Sequence, residues 1–288
     1  MSKKILKLLL KLILTILALY LVIRKIDVEV MWRVIKSANA FYLLLAWLFF
    51  MFSKVFSSFR LNYFFKDLGL QIPSGQNIKL YGIGMYYNLF LPGGIGGDGY
   101  KVYLLNKLHK TPVKQLLRAV MLDRINGLVV LVFLMLSIFF FIDMETSSLY
   151  NLKIWGGIGL AMVIMAFYGA MRFWFKDFIR SIRQTLLYSF LVQLLQLVCS
   201  YFILAGLGIN QQIIQYLFVF LLSSIVAVLP LTIGGVGARE LVFIFSHDYM
   251  GIDKNSAVAF SLIFFLITAI TSLIGVFLKF KTHPNPIH

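Results

Sequence analysis

Long apolar runs separated by short, mostly basic loops organise this chain. Six runs approach the roughly 20 residues that a helix needs to cross a bilayer: about 5–23, 40–59, 125–142, 153–171, 185–207 and 256–278. Two further stretches behave differently. "IKLYGIGMYYNLFL" (78–91) and "IIQYLFVFLLSSIVAVLPLTI" (213–233) each run into a glycine cluster. The first is too short to span. If the second spanned alone, the C-terminal lysines would move outside, or "GGVGARELVFIF" would have to supply another crossing. The pattern therefore predicts an all-α polytopic membrane protein with six transmembrane helices and two re-entrant hairpins. The N-terminal "MSKKILKLLLKLILTILALYLVI" starts like a signal peptide, but it has no small-residue cleavage site and stays apolar to Ile23, so a retained first span is expected.

Charge gives this pattern a direction. With the N-terminus in the cytoplasm and each hairpin returning to its side of entry, 19 of the 27 Lys and Arg lie inside and 6 outside. The other 2, Lys54 and Arg239, fall within membrane segments. That bias obeys the positive-inside rule, and both termini are expected in the cytoplasm of an inner-membrane protein. The first outer loop, with Arg24, Lys25, Arg33 and Lys36, is its weakest point.

The glycine clusters align with each other. "GGIGGDG" starts at Gly93 and "GGVGARE" at Gly234, an offset of 141 residues. Each reads Gly-Gly-β-branched-Gly, then a small residue, then charge, and each follows a proline, Pro92 or Pro230. Two helices, a hairpin and one helix fill residues 1–142, and the same order fills 150–281. A unit with three full crossings must reverse orientation when repeated, so the sequence predicts an inverted-topology repeat of the kind that builds midplane substrate sites in transporters.

Irregular backbone at membrane depth must be buried in protein or line a wet cavity. Gly93, Gly94, Gly96 and Gly97, and their counterparts Gly234, Gly235 and Gly237, permit a tight turn and a nest of N–H groups able to hold an anion. Close helix packing explains either cluster alone equally well. Asp98 is placed to cap a helix starting near Gly99, or to pair with an arginine. Arg239 and Glu240 are expensive at depth, and as sequence neighbours they need partners elsewhere. The planar fork of Arg239 suits a lipid phosphate. Asn88, one turn before Pro92, is expected to satisfy carbonyls freed by the break. Lys54 reads as a snorkelling charge, although it lies several residues from the expected interface. Arg60, near the cytoplasmic end, reads as a topology charge or as a candidate substrate-binding or translocation residue. Asp123 and Arg124 are placed to pair with a neighbour, and Arg124 is a further candidate for the translocation site. Thr111-Pro112 reads as an N-cap and first turn of a basic amphipathic surface helix within 99–124, serving as an anchor or a contact for anionic head groups.

Composition narrows the chemistry. The chain is 60% hydrophobic and 13% charged, against about 25% charged in soluble domains, and its mean hydropathy is +0.89. In such a chain the net charge of +16 belongs to cytoplasmic loops and anionic lipid, not to nucleic acid. Cys199 is the single cysteine, and His109, His247, His283 and His288 form no metal-binding spacing. No phosphate-binding loop, catalytic triad or paired-carboxylate pattern is present, so neither an enzyme nor a cofactor is expected.

"NLFLPGGIGGDGYKVYLL", with Arg60 upstream and "MLDRINGL" downstream, resembles the first half of the lysylphosphatidylglycerol synthase transmembrane-region family. "LPLTIGGVGARE" resembles that family's second signature, and the likeness covers nearly the whole chain. The resemblance implies a flippase-like domain that moves lipids between leaflets, here an anionic, aminoacylated or otherwise modified lipid. In the two-part synthases a soluble aminoacyl-transferase domain follows. This chain ends at "KTHPNPIH", so a stand-alone member, without aminoacyl-lipid synthesis, is expected. The family's positions carry over to Asn88, Pro92, Gly93, Gly94, Gly96, Gly97 and Asp98, and to Pro230, Gly234, Gly235, Gly237 and Glu240. Family members also accompany archaeal glycosylation and hopanoid pathways, which leaves the lipid open and makes a separate lipid-modifying enzyme a candidate partner. A non-transporting membrane subunit and an ion-coupled small-solute carrier are the other classes compatible with the sequence.

Overall fold

Helix is the only regular secondary structure among the described residues, as the absence of water inside a bilayer demands of exposed backbone. The computed structural model describes residues 13, 16–17, 20–25, 27–90, 95–142, 149–228 and 237–280. Five segments in it are long and apolar enough to cross a membrane: Ala40–Asp67, Val113–Phe139, Lys153–Phe173, Lys176–Gly206 and Lys254–Phe277. The expected span at 5–23 falls largely outside the described residues. The chain is an all-α polytopic membrane protein.

We number the helices α1 (Val28–Lys36), α2 (Ala40–Asp67), α3 (Ser74–Phe90), α4 (Gly96–His109), α5 (Val113–Phe139), α6 (Leu149–Phe173), α7 (Ile182–Gly206), α8 (Ile213–Val228), α9 (Ala238–Met250) and α10 (Lys254–Leu273). The most extensive helix contact joins α2 to α7. Phe50, Phe220, Phe243 and Phe260 form a fully buried aromatic core. Large apolar side chains such as Trp155, Met165 and Tyr168 on α6 point outward, where they face lipid. The first outer loop contains a helix that the hydrophobic runs do not show. Asp27 caps α1 by accepting from the N–H groups of Glu29 and Val30, and its own N–H donates to Asn255 on α10 (2.8 Å).

Two spans are longer than their apolar runs. Helix α2 continues to Asp67 and α5 starts at Val113, not near 125. The physical reason is that Arg60, Asn62 and Asp123, which dilute hydropathy there, are buried inside the bundle. The expected surface helix at Thr111-Pro112 is also corrected. Pro112 holds the N-cap position, and its carbonyl accepts from Gln115 and Leu116. The carbonyl of Thr111 accepts from the Asn106 side chain (2.9 Å). The residues that follow form one 27-residue rod that runs on into the span.

Helices α3 and α4 pack together, as do α8 and α9. The Tyr87 and Tyr100 rings lie 4.6 Å apart and Lys101 sits 4.5 Å from the Tyr81 ring, so α3 and α4 run antiparallel. At 1.5 Å per residue the 17 residues of α3 reach about 25 Å, short of a hydrocarbon core of about 30 Å. Helices α7, α8, α9 and α10 begin 142, 139, 142 and 141 residues after α2, α3, α4 and α5.

Helix α3 uses two glycines for contact. A Cβ on Gly97 would lie 1.8 Å from the Gly84 carbonyl oxygen, and one on Gly275 would lie 2.3 Å from that of Gly82. Backbone therefore touches backbone on both sides of "GIG", which any larger residue would prevent.

Candidate functional site

The first break is held by a carboxylate clamp. Helix α4 starts at Gly96 after Ile95, whose own side chain makes no capping hydrogen bond. Asp98 lies in the first turn, where the helix dipole favours negative charge. It does not cap a helix at Gly99. It accepts from Lys101 Nζ (3.0 Å) and, through its other oxygen, from Arg124 Nε on α5. Asn88 Oδ1 accepts from the Gly97 N–H (2.8 Å). The expectation that Asn88 serves freed carbonyls is thus reversed: it satisfies a donor of the returning helix, one of the N–H groups a helix start leaves open.

Lys101, which charge counting places in a cytoplasmic loop, is only 4% exposed, and its stem crosses Gly84. Arg60 is not a topology charge at the boundary. It is 5% exposed and pairs through Nε with Asp123 Oδ1 (2.7 Å), while Nη1 donates to Ser189 Oγ on α7 (3.0 Å). This pair ties α2, α5 and α7 together. Beside it, Gln193 Nε2 donates to the Gly127 carbonyl (3.2 Å). Asn126 is wholly buried, and neither of its amide atoms has a hydrogen-bond partner among the described residues.

The second break is built differently. Gly237 takes a left-handed φ of +82° that favours glycine, and α9 follows. Glu240 is 2% exposed. One oxygen accepts from the Gly237 N–H (2.7 Å) and the other from Ser261 Oγ on α10 (2.8 Å). Arg239 meets rings: its guanidinium carbon lies 4.7 Å from the centre of Phe264 and 6.0 Å from that of Phe220. Its Nη1 is buried without a hydrogen-bond partner among the described residues. Lys54, expected to snorkel, folds back over Phe50 one turn earlier, with Nζ 4.4 Å from the ring centre.

The charges fall into two groups. Asp98 pairs with Lys101 and Arg124, and Asp123 with Arg60, while Lys54 and Arg239 lie over Phe50 and Phe264, two rings in edge-on contact. Five cations (Lys54, Arg60, Lys101, Arg124, Arg239) thus accompany three carboxylates (Asp98, Asp123, Glu240) between the two breaks.

Of the sequence-derived positions, Arg60, Asn88, Gly96, Gly97, Asp98, Arg124, Gly237, Arg239 and Glu240 are placed around these breaks. Pro92, Gly93, Gly94, Pro230, Gly234 and Gly235 lie outside the described residues. Sequence reasoning missed Lys101, Asn126, Ser189 and Gln193 as interior polar groups. A signal existed for two of them: Ser189, Gln193, Gln196 and Ser200 recur at spacings of four, three and four, a polar stripe along an apolar helix. Among the described residues no three or more His, Cys, Asp or Glu side chains gather as a metal site would require.

A family model described as lysylphosphatidylglycerol synthase TM region matches residues 8–184 and 171–275. A UPF0104 membrane protein of Methanocaldococcus jannaschii is 26% identical over 208 residues, covering 64% of this chain and 88% of that protein. A UPF0104 membrane protein of Pyrococcus horikoshii is 23% identical over 299 residues, covering 86% and 89%.

Proposed function

The chain belongs to the lysylphosphatidylglycerol synthase TM region family, and from that premise we propose that it is a flippase-like transporter of an anionic or otherwise modified lipid. One observation carries the reading: ion pairs and ring contacts set the charged side chains of Lys54, Arg60, Asp98, Lys101, Asp123, Arg124, Arg239 and Glu240 among the helices that flank the two glycine clusters. Charge is costly inside a membrane and marks substrate paths there. Five cations against three carboxylates leave an excess of two positive charges, which suits an anionic head group. We assign transport, not catalysis, to these residues.

The matching offsets of α2–α5 and α7–α10 support an inverted repeat with two re-entrant hairpins. In this mechanism the halves rock about the charged set, head groups cross between them, and acyl chains stay in lipid. Both termini lie in the cytoplasm of the inner membrane, and a separate enzyme modifies the lipid. Single cysteines in place of Gly99 and Asp248, both exposed, test the orientation: the first should label only from the cytoplasm and the second only from outside. Labelling of both from one side removes the inverted repeat.

Transport is tested by reconstituting the full chain in liposomes with fluorescent phosphatidylglycerol and following loss of the inner-leaflet pool. Wild type should move lipid. Asp98→Asn and Glu240→Gln should each slow movement about tenfold, the consequence of losing a charge-assisted bond worth roughly 1.5–3 kcal/mol. A wild type that moves none of phosphatidylglycerol, its lysyl ester or phosphatidylethanolamine ends the transport reading.

A further inference from the structure

We propose that Lys54 and Arg239 together bind a singly charged phosphate group, and that this is the head-group phosphate of the transported lipid; only that last clause rests on the transport reading. Arg60, Lys101 and Arg124 are each paired with a carboxylate. Lys54 and Arg239 have no carboxylate within ion-pair distance among the described residues. Glu240 adjoins Arg239 in sequence, but its two oxygens accept from Gly237 and Ser261.

The two cations stand on one aromatic platform. Lys54 Nζ lies 4.4 Å from the centre of Phe50, Phe50 meets Phe264 edge-on at 5.6 Å, and the Arg239 guanidinium lies 4.7 Å from Phe264. Phe220, 4.8 Å from Phe264, completes the platform. Rings stabilise cationic charge through their faces, but they give the buried Nη1 of Arg239 no oxygen to donate to. Two like charges over neighbouring rings also repel each other. A bound anion removes both deficits.

Charge and shape select the anion. Glu240, next to Arg239 in sequence though not paired with it, brings the local sum to one positive charge, which matches a phosphodiester. A tetrahedral phosphate offers two oxygens to the guanidinium fork and another to the ammonium as a point charge. Lys54 belongs to α2 and Arg239 to α9, so one phosphate would bridge the two sequence repeats. Occupancy draws them together, and departure leaves two cations that repel.

The test uses the full chain in phosphate-free maltoside detergent, with phosphatidylglycerol binding read by native mass spectrometry and by thermal shift. Wild type should bind it and unfold at higher temperature with it. Lys54→Met and Arg239→Gln should each weaken binding about tenfold, the equivalent of one charged hydrogen bond, while Lys54→Arg retains it. Oleate, an anionic lipid without phosphate, should compete at least about tenfold less well. If inorganic phosphate protects wild type as strongly as the lipid does, the site stands with free phosphate as its ligand. Unchanged phosphatidylglycerol affinity in folded Lys54→Met and Arg239→Gln overturns the proposal. Liposome transport separates the two readings. Wild type that binds through these residues but moves no lipid leaves the site without the transporter. Wild type that moves lipid while both variants bind normally leaves the transporter without the site.

Discussion

At the first break, α3 and α4 meet backbone to backbone at Gly84 and Gly97, and the neighbouring charges are paired: Asp98 with Lys101 and Arg124, Asp123 with Arg60. At the second, Glu240 spends both oxygens on the Gly237 N–H and the Ser261 hydroxyl, and Arg239 faces phenylalanine rings. The glycine signature recurs at both places, yet the electrostatics do not. What the two halves share is a helix that opens at a cluster glycine, Gly96 or Gly237; what distinguishes them is whether a cation has a carboxylate. A satisfied set of charges holds helices in place, whereas an unsatisfied cation retains the capacity to bind something else. The first break therefore reads as a clamp and the second as a contact surface.

The largest effect should come from opening the clamp. Asp123→Leu leaves the Arg60 guanidinium buried without its carboxylate and should cost about 3–5 kcal/mol of stability. Removing both charges, as Arg60→Met with Asp123→Leu, should recover most of that, because an apolar pair carries no desolvation cost. Thermal unfolding in detergent measures both. If the double variant is no more stable than Asp123→Leu, the pair is not an isolated electrostatic unit and the clamp description fails.

A smaller effect concerns backbone contact. Gly97→Ala places a methyl group 1.8 Å from the Gly84 oxygen and 2.5 Å from its carbonyl carbon. Neither atom can rotate away, so α3 and α4 must separate, at a cost of about 3 kcal/mol. Two residues along the same helix, a Cβ on Gly99 meets nothing within 4 Å. Gly99→Ala should be neutral or stabilise by up to about 1 kcal/mol through backbone entropy. Equal effects of the two substitutions on unfolding temperature would contradict the close approach of α3 and α4.

These contrasts mark how much of the molecule is legible in sequence. Apolar runs locate the spans because lipid imposes one simple requirement on a helix. The glycine clusters mark the starts of α4 and α9, where Gly97 allows the close approach to Gly84 and Gly237 takes a left-handed φ. Ends are less legible: Arg60 and Asp123 look like boundary residues until each is seen to neutralise the other inside the bundle. Lys101 misleads for the same reason, since its partner Asp98 is three residues away and its burial depends on α3. Hydropathy scores a residue alone, whereas burial of charge is decided by pairs. Arg239 was legible as a costly charge with a partner elsewhere, but a platform assembled from Phe220 and Phe264 on two other helices leaves no local pattern.

The smallest predicted change has the most informative sign. Arg60→Met removes the partner of a buried carboxylate and must destabilise. Lys54→Met, on the same helix, removes a cation for which the described residues provide only the Phe50 ring. Methionine has nearly the same length and makes its own favourable contact with an aromatic ring, so the packing over Phe50 survives. In phosphate-free detergent Lys54→Met should therefore stabilise the protein, by up to about 1 kcal/mol, because a half-buried charge without a carboxylate partner is removed. Thermal unfolding of both single variants in one buffer reads the comparison directly. A loss of stability in Lys54→Met as large as that in Arg60→Met would mean that Lys54 is satisfied within the bundle, and the contrast between a paired and an unpaired break would be gone.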